Sequence, residues 1–163
     1  MTQEQAAMGS KVAGYMTSVG AFIGIPIAIL LLGLGTWLTG KMFGATLSYA
    51  AATMIAAYSY MPRIVEALAV AVQGLLLDTS GFTGRYQLSL GVGRFLDAES
   101  SRGLLGLLGR VDVFTLWVTA LVAVGIMVVG KLPKEKAIAA GAVIWIYGAL
   151  PTLYAGVMAA IRG

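Results

Sequence analysis

The chain contains no cysteine and no histidine. The first absence excludes disulfides and thiolate metal sites, and the second removes imidazole ligands and histidine acid–base chemistry. Charge is scarce as well. Only 11% of the 163 residues are Asp, Glu, Lys or Arg, against about 25% in an ordinary soluble domain. No two carboxylates stand at a spacing that suits acid–base work, and the serines lack a base to activate them. These absences argue against an enzyme and against a bound metal or cofactor. A clustered basic face is also missing, so the net charge of +4 does not point to nucleic acid.

What the chain has in quantity is apolar: 59% of its residues, more than one soluble core of this length hides. Four uncharged runs, 12–40, 42–62, 113–130 and 137–161, are near or above the roughly twenty helical residues that cross a hydrocarbon layer about 30 Å thick. The reading is an all-α, polytopic integral membrane bundle forming a single domain over 1–163. Its four transmembrane helices are expected at about 19–38, 45–66, 113–130 and 137–161. Residues 1–11, "MTQEQAAMGSK", carry no cationic n-region, so no cleavable signal peptide is expected. The first span is free to serve as an uncleaved signal anchor.

Several local features sharpen this outline. Gly20 and Gly24 make a GxxxG pair, read either as a helix-packing groove or as glycines a spanning helix merely tolerates. Trp37, just before Lys41, fits an interfacial anchor. Pro62 predicts a kink or break near 58–62. Arg63 and Glu66, at i and i+3, share a helix face and can neutralise each other. They read either as residues at the far interface or, with Pro62, as a functional break inside the bundle. Residues 78–112 are the longest polar stretch. Within it "DAESSRGLLGLLGR" predicts an interfacial amphipathic helix over 97–110. Leu104 and Leu108 would enter the acyl boundary there, with Arg94, Arg102 and Arg110 at headgroups or at a partner. "GVGRF" at 91–95 lacks the further glycines of a dinucleotide fingerprint and reads as a flexible loop. The third and fourth spans form a hairpin through "GKLPKEKA", and Pro151 should bend the fourth. Six Lys and Arg fall on the side of the termini and the 78–112 loop and four on the side of the two short turns. The dense lysines 131, 134 and 136 close to span ends nevertheless favour the short turn as the cytosolic one.

Two segments, "LSYAAATMIAAYSYMPRIVEAL" and "RVDVFTLWVTALVAVGIMVVGKLPKEKA", resemble the Yip one domain family of multi-span membrane proteins. Asp112, Phe114, Trp117, Gly125 and the short basic turn carry the resemblance, which covers most of residues 20–160. Family members typically have five spans, whereas this sequence shows four. The resemblance implies a membrane adaptor rather than a catalyst. The compact form implies a prokaryotic member in the bacterial cytoplasmic (inner) membrane. It would act as a non-catalytic scaffold or accessory subunit in contact with lipids and with other membrane subunits, an ABC-type transporter or further copies of itself among them. Two other readings stay open. One is a small channel or transporter with its permeation site at Pro62, Arg63 and Glu66. The other is a lipid-binding, membrane-shaping protein.

Overall fold

The computed structural model describes residues 3–77, 89–95 and 108–162, and these are helical apart from turns and one isolated bridge. α1 (Gln3–Met42) is followed by α2 (Tyr49–Ser59), α3 (Met61–Leu76), α4 (Val113–Val129), α5 (Lys134–Tyr147) and α6 (Leu150–Arg162). Pro26 lies inside α1 without ending it. Two segments are long and apolar enough to cross a membrane: Phe22–Met42, and Tyr49–Leu76, which is α2 and α3 taken together. The other two expected spans fall short of that test for a plain reason. α4 has 17 residues, and the region expected as one helix over 137–161 is two helices of 14 and 13. The bend expected at Pro151 is therefore a break at Gly148–Ala149, with Pro151 in the first turn of α6.

The break expected near 58–62 falls at Tyr60. Its amide closes α2 onto the Ala56 and Ala57 carbonyls, and its own carbonyl accepts from Arg63 N at 2.9 Å. Pro62 then sits in the opening turn of α3, where a missing N–H removes no helical hydrogen bond. The second expected span, 45–66, is thus a capped short helix followed by a second helix running on to Leu76.

α1 packs mainly on α2 and α4 on α5, while α2–α4 and α1–α5 contacts join the two hairpins. Both hairpin turns lie at the same end of the bundle, since Thr46 N donates to Gly130 O at 3.1 Å. Gly44 takes a left-handed φ of 88° in the first turn, and Lys131 one of 55° in the second. Lys41, Lys131, Lys134 and Lys136 are all exposed near this end.

The core is built from small and β-branched residues. Ala52, Val122, Ile126 and Ala140 are fully buried. Close approach depends on glycines other than the pair noted in the sequence. A Cβ on Gly33 would sit 2.9 Å from Thr53 Cα, and one on Gly141 3.0 Å from Ala123 Cβ. Gly20 and Gly24 meet nothing within 4 Å, so they make no groove within the described chain. Large apolar side chains point outward instead, among them Phe22 and Leu75 at 84% and 86% exposed. Such a surface suits lipid better than water.

Thr36 on α1 is fully buried, and its hydroxyl has no hydrogen-bond partner among the described residues. Thr36→Val keeps the shape and removes an orphaned polar atom, so it should stabilise the protein by about 1 kcal/mol. Thermal unfolding in detergent checks this: a lowered midpoint would mean that the hydroxyl is satisfied.

Candidate functional site

Asp112 organises the end of the bundle opposite the hairpin turns. It is buried and caps α4, its Oδ1 accepting from Phe114 N at 2.9 Å and Thr115 N at 2.8 Å. The Thr115 hydroxyl donates to Oδ2. Extended backbone at Asp112 (φ −128°, ψ 156°) leaves the first α4 amides facing this carboxylate. Gly91 pairs with Asp112 in an antiparallel bridge, and Val92 N donates to Val111 O at 3.1 Å. A Cβ on Gly91 would sit 2.6 Å from Asp112 Cβ. Within "GVGRF", expected as a loop, Val92–Phe95 forms a 3₁₀ turn, and its first glycine is there for close backbone approach.

Two arginines meet beside this cap. Arg63 donates from Nη1 to Glu66 Oε2 at 2.5 Å and from Nη2 to Thr115 Oγ1 at 2.7 Å. One side chain thus ties α3 to α4, 52 residues apart in sequence. Arg110 donates from Nη2 to the Trp145 carbonyl at 3.1 Å, and its Cζ lies 5.8 Å from the centre of the Trp145 ring. The guanidinium lies against Gly148, where a Cβ would come within 2.5 Å of Nη2. Burial first, and then the like charge of Arg63, hold the Arg110 guanidinium below its ordinary pKa, with Asp112 acting in the opposite sense. Arg110 Nε and Trp145 Nε1 are buried and find no acceptor among the described residues.

Both arginines line a cavity of about 620 Å³, whose other walls come from α1, α4, α5 and α6. The lining is predominantly apolar, with Leu31, Leu32, Val118 and Val122 among it. Glu66 and Asp112 are not on its wall.

The sequence-derived candidates separate into three groups. Pro62, Arg63, Glu66, Arg110 and Asp112 come together at this end of the bundle. Phe114 is buried in the first turn of α4, whereas Trp117 is 47% exposed, and Arg94 is exposed on the 3₁₀ turn nearby. Arg102 and Leu104, with most of the amphipathic segment expected over 97–110, lie outside the described residues. Leu108 is half-buried at the turn leading to Arg110. Thr115, Trp145 and Gly148 belong to the site and carry no sequence signal of their own. Each lies in an uncharged apolar run with no neighbouring motif to single it out.

The fold, with its outward apolar surface and a polar cluster held at one end, is that of a helical membrane protein. The chain belongs to the Yip1 domain family, whose family model matches residues 1–155. No curated protein and no solved structure matches it.

Proposed function

We propose that this Yip-type protein is a non-catalytic scaffold or accessory subunit of a membrane assembly. We place it in the bacterial cytoplasmic membrane, crossing four times. α1 makes the first crossing, α2 with the start of α3 the second, α4 the third, and α5 with α6 the fourth. Pairing of α4 with α5 beside the two longer segments supports this count, because α4 is tied to the second segment near both its ends, by Thr46–Gly130 and by Arg63–Thr115. Four exposed lysines at the shared turn end support a cytosolic position for both turns.

One observation carries the scaffold reading. The charges beside the Pro62 break are engaged in tying helices to one another: Arg63 holds Glu66 and reaches Thr115, and Asp112 caps α4. A cation pathway needs acidic or carbonyl groups available to the permeant, and here the carboxylates of Glu66 and Asp112 are held in contacts that serve the bundle. Partners would meet the outward apolar helix faces, an ABC-type transporter or further copies of this chain being the classes in view.

Reconstitution separates this reading from its rival. Proteoliposomes are expected to pass ions and small solutes no faster than empty liposomes. Protein drawn from native membranes in mild detergent is expected to carry the same companion at fixed stoichiometry. Flux above the empty control that disappears in Glu66→Gln would establish the channel instead.

A further inference from the structure

We propose that the cavity between α1, α4, α5 and α6 binds one anionic phospholipid, its phosphate at Arg110 and Arg63 and an acyl chain along the apolar walls. This rests on the membrane setting of the chain and not on its role as a scaffold.

Three observations converge on that occupant. The first is the distribution of charge. Among the described residues both ionised groups on the cavity wall are cationic, whereas the carboxylates Glu66 and Asp112 are engaged off the wall. Arg63 is already held by Glu66 and Thr115. Among the described residues the Arg110 guanidinium has one acceptor, the neutral Trp145 carbonyl. The two guanidiniums are the charged donors that an occupant of the cavity meets, and a phosphate supplies several oxygens to a guanidinium. Burial and the charge of Arg63 both disfavour the Arg110 cation, and an anion between the two guanidiniums would offset both.

The second observation is the shape and lining. A volume of about 620 Å³ falls in the range of ligand sites, roughly 300–1,000 Å³. Beyond the guanidiniums the wall is largely apolar, aliphatic side chains such as Leu31 and Val122 together with the aromatic rings of Tyr60, Trp145, Tyr147 and Tyr154, a better match to hydrocarbon than to a free ion.

The third is depth. From Gly130 back to Thr115, α4 covers about 22 Å at about 1.5 Å per residue. With the lysine-bearing turns at one boundary of a hydrocarbon layer about 30 Å thick, Thr115 lies roughly 8 Å short of the other, and the long arginine side chains beside it can extend toward those headgroups. A lipid from that leaflet would reach them with its phosphate while its chain follows the helices inward.

The test uses the full chain, delipidated in a neutral detergent. Native mass spectrometry and thermal unfolding are followed while phosphatidylglycerol, phosphatidylcholine or inorganic phosphate is added. The wild-type chain is expected to retain one phosphatidylglycerol and to gain unfolding temperature with it. Phosphatidylcholine should bind about tenfold more weakly or worse, for want of net charge, and phosphate alone should give no shift at matched concentration. Arg110→Gln should weaken phosphatidylglycerol binding by about tenfold or more, the worth of one charge-assisted hydrogen bond. Ala28→Trp, which fills the cavity from α1, should abolish it. Gly148→Ala pushes the end of Arg110 off the Trp145 carbonyl and should weaken phosphatidylglycerol binding in a chain that still folds. Equal retention of phosphatidylcholine and phosphatidylglycerol by the wild-type chain would overturn the proposal, and that comparison needs no variant. A shift with phosphate equal to the lipid's, or unchanged lipid binding in folded Arg110→Gln, would also overturn it.

Discussion

Leucine in place of Arg63 alone, or of Glu66 alone, is expected to destabilise the protein in detergent by about 2 kcal/mol, and the double replacement by clearly less. Losing one partner leaves an uncompensated charge, whereas removing both also removes their desolvation cost. The two side chains are 29% and 28% exposed, so the effect should fall below the roughly 3–5 kcal/mol of a fully buried pair. Thr115 remains satisfied in every variant, because its hydroxyl donates to Asp112. The double-mutant cycle then reports the Arg63–Glu66 coupling with little contribution from that neighbour. Three equal, small losses would mean that water already surrounds both charges, and the tie between α3 and α4 would lose its main support.

Gly33→Val should be the most damaging change in α1, at about 3 kcal/mol, the upper end for overpacking. The first atom of the new side chain would lie 2.8 Å from Thr53 Oγ1 and 2.9 Å from Thr53 Cα. The hydroxyl can rotate away, but the Cα moves only with its helix, so α1 and α2 must separate along their most extensive contact. Gly20→Val and Gly24→Val, with open space around both, should change the unfolding midpoint by no more than a few tenths of a kcal/mol. Comparable losses at positions 20 and 33 would contradict the packing of α1 described above.

That contrast shows what the sequence could and could not reveal. The GxxxG spacing drew attention to Gly20 and Gly24, yet spacing alone does not say which helix faces which. Gly33 and Gly141 acquire meaning only when α2 and α4 are laid against them. Pro62 was legible because proline acts locally, on its own turn and the one before it. The Arg63–Glu66 pair was legible for the same reason, being three residues apart on one helix. Arg63–Thr115, Arg110–Trp145 and the Arg110–Gly148 contact join distant parts of the chain, and no periodicity encodes them. Pro151 was read as a bend because proline weakens a helix. The glycine three residues before it turned that weakness into a break between α5 and α6. Asp112 entered first through a family resemblance, and its physical role, a cap accepting two amides and a hydroxyl, emerged from the geometry of α4.

The central claim is a bundle whose two hairpin turns share the cytosolic side while the Asp112 end faces outward. The absence of cysteine makes it directly measurable. Single cysteines placed as Lys41→Cys, Lys134→Cys and Arg94→Cys fall at exposed positions, the first two at the turn end and the third beside the α4 cap. Intact cells are treated with a membrane-impermeant thiol reagent and then permeabilised. Position 94 is expected to react in intact cells, and positions 41 and 134 only after permeabilisation. Reaction of position 134 in intact cells, or opposite behaviour of 41 and 134, would contradict the account.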